Sequence, residues 1–240
     1  MGTREGSIID GFNLIAPAYD TTADVLTLGF HRLWRNHFCK IFLEKTPKNS
    51  KVLDVATGTG EILFRSLLKR PDLDAYGLDL SEGMLKAAKE KQEKRSFLYK
   101  KKIRFEMGNA LALPYKNEFF DCVTIAWSIR SLRPIQGVLR ETLRVLKPGG
   151  SLFILEHGLP EIKIIRSFLN KYTASIPVLG EKITNSKALH PLYTTSVDGF
   201  SSGQNFAADL FDAGFTKVTY KTFSGGMIYI YEAQKTKYLK

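Results

Sequence analysis

The chain has 240 residues, of which 44% are hydrophobic and 25% are charged, so it can bury one substantial core and is not a disordered chain. No apolar run reaches the roughly 18 to 20 residues of a membrane span, and the first residues lack the apolar centre of a secretory signal. Its two cysteines, Cys39 and Cys122, are too few for a disulfide framework. We therefore expect a single cytoplasmic domain spanning residues 1–240.

The net charge of +11 is concentrated in one region. Between Lys86 and Arg104 the sequence holds nine Lys or Arg and two Glu. This region is either a solvated helix face and loop or a patch that contacts an anionic membrane or nucleic acid. Only Phe97 and Tyr99 are interleaved with the charges, which disfavours stacking on single-stranded bases. We expect no nucleic-acid partner and leave peripheral membrane contact open.

The first strand and helix of the core are predicted by VLDVATGTGEILF, Val52 to Phe64. An apolar run, a Gly-x-Gly turn and a second apolar run are typical of a buried strand, a tight turn and a helix start. Gly58 and Gly60 permit close approach of a ligand, and the helix start favours an anion. Leu63 stands where a dinucleotide fingerprint has its third glycine, so pyrophosphate contact is not favoured. A plain loop remains the alternative at this point.

Strand and helix patterns then alternate along the chain, which indicates a parallel sheet with helices on both faces. The helical pattern IQGVLRETLRVLK ends at Lys147, where Pro148-Gly149-Gly150 is expected to close it. Two final strands flank Ser224-Gly225-Gly226 and predict an antiparallel hairpin. The predicted fold is a Rossmann-like, seven-stranded, mostly parallel α/β sheet with this hairpin at its C-terminal end.

Four parts of the domain are predicted. Residues 1–50 form a helical cover, with an apolar stripe at helical spacing, and residues 51–158 form the ligand-binding core. Residues 159–205 form an irregular substrate-side insertion, and residues 206–240 form a closing helix and the hairpin. We expect the cover and the insertion to fold over the carboxyl ends of the strands, where ligands of open α/β sheets bind.

Polar or small residues at the strand ends fit one adenosine-type ligand. Asp79 ends the second strand, where a carboxylate accepts both ribose hydroxyls, although it could instead be a helix N-terminal carboxylate. Asn109-Ala110 follows the third strand, where an adenine ring could lie, and Asp54 could brace the Gly-rich turn. An adenosine ligand without a pyrophosphate contact suggests S-adenosylmethionine. Cys122 fits a packed core thiol, and no His or Cys spacing indicates a metal site.

Several motifs resemble one family in order and spacing. FNLIAPAYDTTADVLTLGFHRLWR, VLDVATGTG, GLDLSEGML, GNALALPY, FDCVTIAWSIRS, RVLKPGG and FSGGMIYIYEAQK resemble the ubiquinone/menaquinone biosynthesis C-methyltransferases, a class I S-adenosylmethionine-dependent family. The similarity runs from about residue 12 to about residue 234. The N-terminal block and the terminal hairpin are the most specific parts, whereas the Gly-rich turn and RVLKPGG occur in many class I methyltransferases.

The resemblance implies methyl transfer from S-adenosylmethionine to a ring carbon of a prenylated quinol. Together with the strand-end analysis it predicts donor contacts at Asp54, Gly58, Thr59, Gly60, Asp79, Asn109, Ala110 and Ala126. It predicts substrate contacts at Tyr19, Trp127 and Arg130. In the expected chemistry Arg130 stabilises the phenolate, and Asp20 or His157 accepts the proton; the alternatives are a surface salt bridge for Arg130 and a packing role for His157.

The chain departs from the family pattern mainly beside the substrate. Ala126 replaces a serine, Trp127-Ser128-Ile129 a Phe-Gly-Leu run, Ser131 an asparagine and His157 a phenylalanine; Thr57 and Ala23 differ as well. A methyltransferase acting on another small apolar or aromatic molecule therefore stays open. A nucleic-acid methyltransferase or a non-catalytic donor-binding protein is more remote. Homodimer formation is also left open.

Overall fold

A seven-stranded sheet lies at the centre of the protein. The computed structural model describes residues 3–95, 103–158, 200 and 202–237, with side chains from residue 9 onward. The strands are β1 (Lys51–Val55), β2 (Asp74–Asp79), β3 (Ile103–Met107), β4 (Phe120–Ala126), β5 (Leu146–His157), β6 (Thr216–Phe223) and β7 (Ile228–Gln234). Their order is β3-β2-β1-β4-β5-β7-β6, parallel from β3 to β5, with β7 antiparallel to both β5 and β6. The predicted sheet and its antiparallel hairpin are confirmed.

Helices precede the sheet and alternate with its strands. They are α1 (Thr3–Ile15), α2 (Tyr19–Leu26), α3 (Phe30–Lys45), α4 (Glu61–Lys69), α5 (Glu82–Lys94), α6 (Ile135–Val145) and α7 (Gln204–Asp212). Single 3-10 turns occupy Ala16–Ala18 and Ser224–Gly226. Helix α5 begins at Glu82 because Ser81 caps it, accepting a hydrogen bond from the Met84 backbone N–H at 3.2 Å.

Both faces of the sheet are buried. Val52 packs in a cluster with Phe38 and Phe64, from α3 and α4, whereas the next residue, Leu53, packs in a second cluster with Leu139 of α6. Successive strand residues point to opposite faces, so a strand covered on both sides needs continuous apolar sequence. This is why β1 and β4 are mostly apolar in sequence; their buried polar residues, Asp54 and Thr124, are hydrogen-bonded to each other.

The boundary between α6 and β5 differs from the expectation. The helix ends at Val145 and β5 begins at Leu146, so Pro148-Gly149-Gly150 lies within the strand. Leu146 pairs with Phe120 but Cys122 pairs with Ser151, which leaves these residues in a bulge. Proline disfavours helical geometry at the residue before it, and Gly149 adopts a φ of 80°. The Pro-Gly-Gly sequence therefore forms a strand bulge and does not end the helix.

Helix α3 buries most of its predicted apolar stripe, and it buries two polar residues as well. The stripe consists of Leu33, Trp34, Phe38, Ile41 and Phe42. Phe38 and Phe42 are fully buried, but Leu33 is 62% exposed. His31 and Arg35 are buried in addition, and both line a cavity above the strand ends. Polar residues at this spacing were not expected on a buried face, and the cavity accounts for them.

Two predicted regions fall partly outside the described residues. These are most of the insertion, 159–199 with 201, and the lysine-rich stretch 96–102. None of the described helices is long and apolar enough to cross a membrane.

Candidate active site

A cavity of about 230 Å³ opens at the carboxyl ends of the parallel strands. Helices α1, α2 and α3 cover it, contributing among others Phe12, Tyr19 and Arg35. Of the predicted site residues, those that line the cavity are Tyr19, Gly58, Asp79, Asn109, Ala110, Ala126, Trp127, Arg130 and His157. Asp20, Asp54, Thr59 and Gly60 lie outside this lining.

The Gly-rich turn after β1 has one open glycine and one packed glycine. Gly58 has a φ of 56°, and a Cβ added there would meet no atom within 4 Å. A Cβ at Gly60 would lie 2.8 Å from Cζ of Phe105, so Gly60 serves close packing. Gly58 is therefore the residue at which the turn leaves room for a ligand beside its backbone.

Asp54 holds the Gly-rich turn in place from the buried side. Its side chain is 2% exposed and accepts hydrogen bonds from the hydroxyls of Thr57 and Thr124, both at 2.7 Å. Burial raises its pKa to about 6 despite these bonds. Asp54 connects β1, the turn and β4, which matches the bracing role considered from the sequence.

Asp79 is positioned by the backbone at the end of β2. Its two carboxylate oxygens accept hydrogen bonds from the N–H groups of Gly58 at 2.7 Å and Ser81 at 2.9 Å. Burial raises the pKa of Asp79, and these backbone hydrogen bonds counter the rise. A carboxylate has about four acceptor positions, so capacity for two hydroxyl donors remains. Beyond β3, Oδ1 of Asn109 accepts the Leu111 N–H at 2.8 Å, which leaves its amide N–H groups for a ligand.

Asp20 and Thr59 belong to a charge network beside the cavity. The Thr59 hydroxyl donates to Oδ1 of Asp20 at 2.9 Å, and the Lys91 ammonium pairs with Asp20 and, at 3.1 Å, with Glu61. The Asp20 carboxylate thus points toward the start of α4. It joins the helical cover to the Gly-rich turn.

Arg130 forms a buried ion pair. Glu156, at the end of β5, is fully buried and pairs with the Arg130 guanidinium, which also donates to the Trp127 carbonyl at 3.2 Å. The His157 N–H donates to the Glu156 carboxylate at 2.8 Å. The surface salt bridge considered for Arg130 is therefore wrong. Glu156 was missed because a single acidic residue at a strand end has no periodic signal.

Aromatic rings form one wall of the cavity. Trp127 stacks on His157 with centroids 5.7 Å apart, and Trp34 meets both rings edge-on. Within the described part of the chain, Trp127 Nε1 and Ser128 Oγ are buried and make no hydrogen bond. Buried polar atoms are rarely left without a partner, so two positions that depart from the family pattern carry unsatisfied groups beside the cavity.

The two histidines of the cavity are neutral at pH 7. Burial lowers the pKa of His157 to about 3 and that of His31 to about 4, and nearby arginines add to both effects. Burial also raises the pKa of Tyr19, which keeps its phenol protonated. His31 was missed from the sequence, although Thr27, His31 and Arg35 recur every four residues and all three line the cavity.

His157 should make the protein sensitive to acid. The unfolded chain takes up a proton at this residue near pH 6.5, whereas the folded protein does so only near pH 3. The contribution of the neutral ring is therefore complete above pH 6.5 and is lost as the pH falls toward 3. We expect the free energy of unfolding of the wild type, relative to His157→Phe, to fall by about 1 kcal/mol per pH unit between pH 6 and 5.

Urea denaturation of both proteins at pH 7, 6 and 5 measures this difference. His31, which titrates with the same sign, and Asp54, which titrates with the opposite sign, are common to both proteins and cancel. If the free energies of unfolding of the two proteins change equally with pH, His157 does not titrate as a buried neutral ring.

Comparison with known proteins decides the family. A model of the ubiE/COQ5 methyltransferase family matches residues 1–235. The chain belongs to this family. It is accordingly a methyltransferase, and its recognition from sequence motifs is confirmed.

Relatives match over nearly their full length. Ubiquinone/menaquinone biosynthesis C-methyltransferase UbiE of Allorhizobium ampelinum is 33% identical over 236 residues, covering 98% of this chain and 91% of the relative. The protein of the same name from Bartonella henselae is 35% identical over 235 residues, covering 97% and 90%.

Solved structures agree on the fold. A SAM-dependent methyltransferase from Aquifex aeolicus aligns with a TM-score of 0.59 and 21% identity, covering 82% of this chain and 88% of that one. A SAM-dependent methyltransferase from Thermotoga maritima, described as a possible histamine N-methyltransferase, aligns with a TM-score of 0.63 and 18% identity, covering 94% and 100%. At these identities the alignments support the Rossmann-like fold alone.

Proposed function

We propose that the protein binds S-adenosylmethionine along the strand ends and transfers its methyl group to a ring carbon of a reduced, prenylated quinol. The donor supplies an electrophilic sulfonium methyl group. The residues present fit this donor: Asp79 keeps acceptor capacity for the ribose hydroxyls, and Gly58 leaves free space beside its backbone. Asn109 and Ala110 lie at the next strand end, beside the expected position of adenine.

The aromatic wall beside Arg130 is the observation that carries the substrate proposal. Trp127, His157 and Tyr19 offer flat or apolar surface to an aromatic ring, and Arg130 lines the same cavity. Relatives of this chain carry the name of quinone-biosynthesis C-methyltransferases. A quinol ring carbon becomes nucleophilic when its hydroxyl loses a proton, and a nearby cation stabilises the resulting phenolate. Arg130 is the residue we assign to that oxygen.

Proton removal is assigned to His157 in preference to Asp20. His157 lines the cavity, and its ring is neutral at pH 7. Its pKa of about 3 makes it a weak base by itself, so we propose that it accepts the proton as the negative charge of the phenolate forms beside it and raises that pKa. Asp20 is bonded to Thr59 and Lys91, outside the cavity lining. The remaining catalytic effect comes from holding the ring carbon in line with the methyl group in a pocket that excludes water.

A second candidate substrate is another small aromatic molecule. The unsatisfied Trp127 Nε1 and Ser128 Oγ favour it, because a substrate with additional polar groups could satisfy both atoms once the two side chains turn toward the cavity. Incubation with methyl-labelled donor and a panel of reduced prenylated quinols, short phenols and RNA separates these proposals. Label in the prenylated quinols supports the first, label in phenols alone supports the second, and label in RNA contradicts both.

Contact with a lipid surface is proposed because a prenylated quinol resides in the bilayer. Around the turn between α2 and α3, four large apolar side chains are 48% to 77% exposed: Val25, Leu28, Phe30 and Leu33. Thr27 and His31 of the same segment line the cavity. Exposed apolar residues beside a site for a lipophilic substrate fit shallow insertion into lipid, and the net charge of +11 fits anionic headgroups.

We expect binding to phosphatidylglycerol-containing vesicles that weakens as salt rises, because clustered Lys and Arg each gain about 1 kcal/mol near an anionic surface. The Lys100/Lys101/Lys102→Gln variant, whose sites lie outside the described residues, should bind less tightly, and so should Leu28→Ser with Leu33→Ser. Vesicle co-sedimentation measures both.

A matched charge control is the Gln variant of Lys116, Lys217 and Lys221, which are exposed elsewhere. It should lose less binding than the first lysine variant. Absence of binding at low salt, or equal binding by all the variants, would contradict lipid docking through these surfaces.

A further inference from the structure

A second arginine of the cavity, Arg35, makes no direct ion pair within the described part of the chain. Arg35 of α3 is 7% exposed and lines the cavity, with its guanidinium carbon 5.1 Å from the centre of the Trp127 ring. Among the described residues its guanidinium makes this cation–π contact but no hydrogen bond and no ion pair within 4 Å. Arg130, in contrast, is paired with Glu156.

Three carboxylates near Arg35 form their direct contacts with other residues. Asp54 accepts hydrogen bonds from two threonine hydroxyls, Asp20 is paired with Lys91, and Asp24 is paired with Arg32. A buried charge without a partner is strongly unfavourable, and a cation–π contact offsets only part of that cost. These carboxylates act on Arg35 only through space, so no carboxylate of the described residues contacts its guanidinium directly, and an anionic ligand group in the cavity would supply that contact.

The order of the strands indicates which ligand group reaches Arg35. Adenine and ribose are assigned to the ends of β3 and β2, so the rest of the donor continues toward β1 and β4, the next strands in the sheet. Trp127 directly follows β4, and the Arg35 guanidinium lies over its ring. We infer that Arg35 binds the carboxylate of the donor's methionine moiety, an inference that rests on the proposed donor. A guanidinium can bind a carboxylate through two parallel hydrogen bonds.

Calorimetry with two ligands tests this contact directly. S-Adenosylhomocysteine carries the carboxylate, and its decarboxylated analogue keeps the amine and the thioether. The wild type should bind the first ligand about 10- to 100-fold more tightly, as expected for a charge-assisted contact. In Arg35→Gln this preference should shrink to about 3-fold or less, through weaker binding of S-adenosylhomocysteine, while affinity for the analogue stays nearly unchanged. Arg35→Lys should keep an intermediate preference.

Lys40→Gln is the matched control, because Lys40 is an exposed cation on the same helix. It should retain the wild-type preference. Equal affinity of the wild type for the two ligands, a measurement that needs no variant, would overturn the inference. An unchanged preference in Arg35→Gln would also overturn the inference. If turnover alone fell in that variant, Arg35 would act on the substrate oxygen. If the wild type binds neither ligand, the proposed donor itself is wrong.

Discussion

Replacing Asp79 by alanine should weaken binding of S-adenosylhomocysteine by at least about 100-fold, because two charge-assisted hydrogen bonds to the ribose are lost. The carboxylate is held by the Gly58 and Ser81 N–H groups, so it is oriented before the ligand arrives. The same two bonds position the Gly-rich turn, and their loss adds to the effect. Isothermal titration calorimetry measures the dissociation constant.

Asp74→Ala is the control for this substitution. Asp74 begins the same strand and pairs with Arg104 at 2.5 Å on the surface, away from the cavity. Its replacement should leave the dissociation constant within about 2-fold, because Asp74 is outside the cavity. The protein should also stay folded, because surface ion pairs contribute little to stability. An Asp79→Ala protein that binds as tightly as the wild type, or a wild type that binds NAD equally well, would contradict the ribose assignment.

Replacing Glu156 by glutamine should lower the free energy of unfolding by about 3 kcal/mol, because the buried Arg130 charge loses its counter-ion. The carboxylate is fully buried, so water cannot take its place without opening the core. Urea denaturation measures the change. Glu232→Gln, which breaks a half-exposed pair with Lys45, should cost less than about 1 kcal/mol.

A double variant separates the structural and catalytic roles of Arg130. Arg130→Met with Glu156→Leu removes both charges, and an apolar replacement of a buried ion pair should restore stability to within about 1 kcal/mol of the wild type. Methyl transfer should still fall by about 100-fold or more, because the phenolate loses its cation. Normal turnover by a stable double variant would rule out a catalytic role for Arg130.

The strands and the ligand-binding edge of the sheet could be predicted because the sequence patterns that indicate them are local. Apolar runs covered on both faces define β1 and β4, and Ser81 marks the start of α5. Asp79 could be placed because a carboxylate ending a strand beside a Gly-rich turn has few structural roles. The hairpin followed from two strand patterns that flank a Gly-rich turn.

The charged interior of the site could not be predicted in the same way. Arg35 and Glu156 resemble surface residues in sequence, and their burial depends on how α3 and β5 meet at the cavity. The contact between Asp20 and Thr59 joins segments 39 residues apart. Side-chain direction at such positions is a property of tertiary packing, which helical or strand periodicity does not encode.

Transfer of a ¹³C-labelled methyl group from S-adenosylmethionine to a reduced, prenylated demethylquinol tests the proposed reaction most directly. Carbon NMR of the extracted product distinguishes a methyl group on a ring carbon from a methyl ether. The proposal predicts label on the ring carbon, dependence on prior reduction of the quinone and loss of transfer in Asp79→Ala. Label on oxygen, or no transfer to any reduced quinol by a protein that binds S-adenosylhomocysteine, would contradict it.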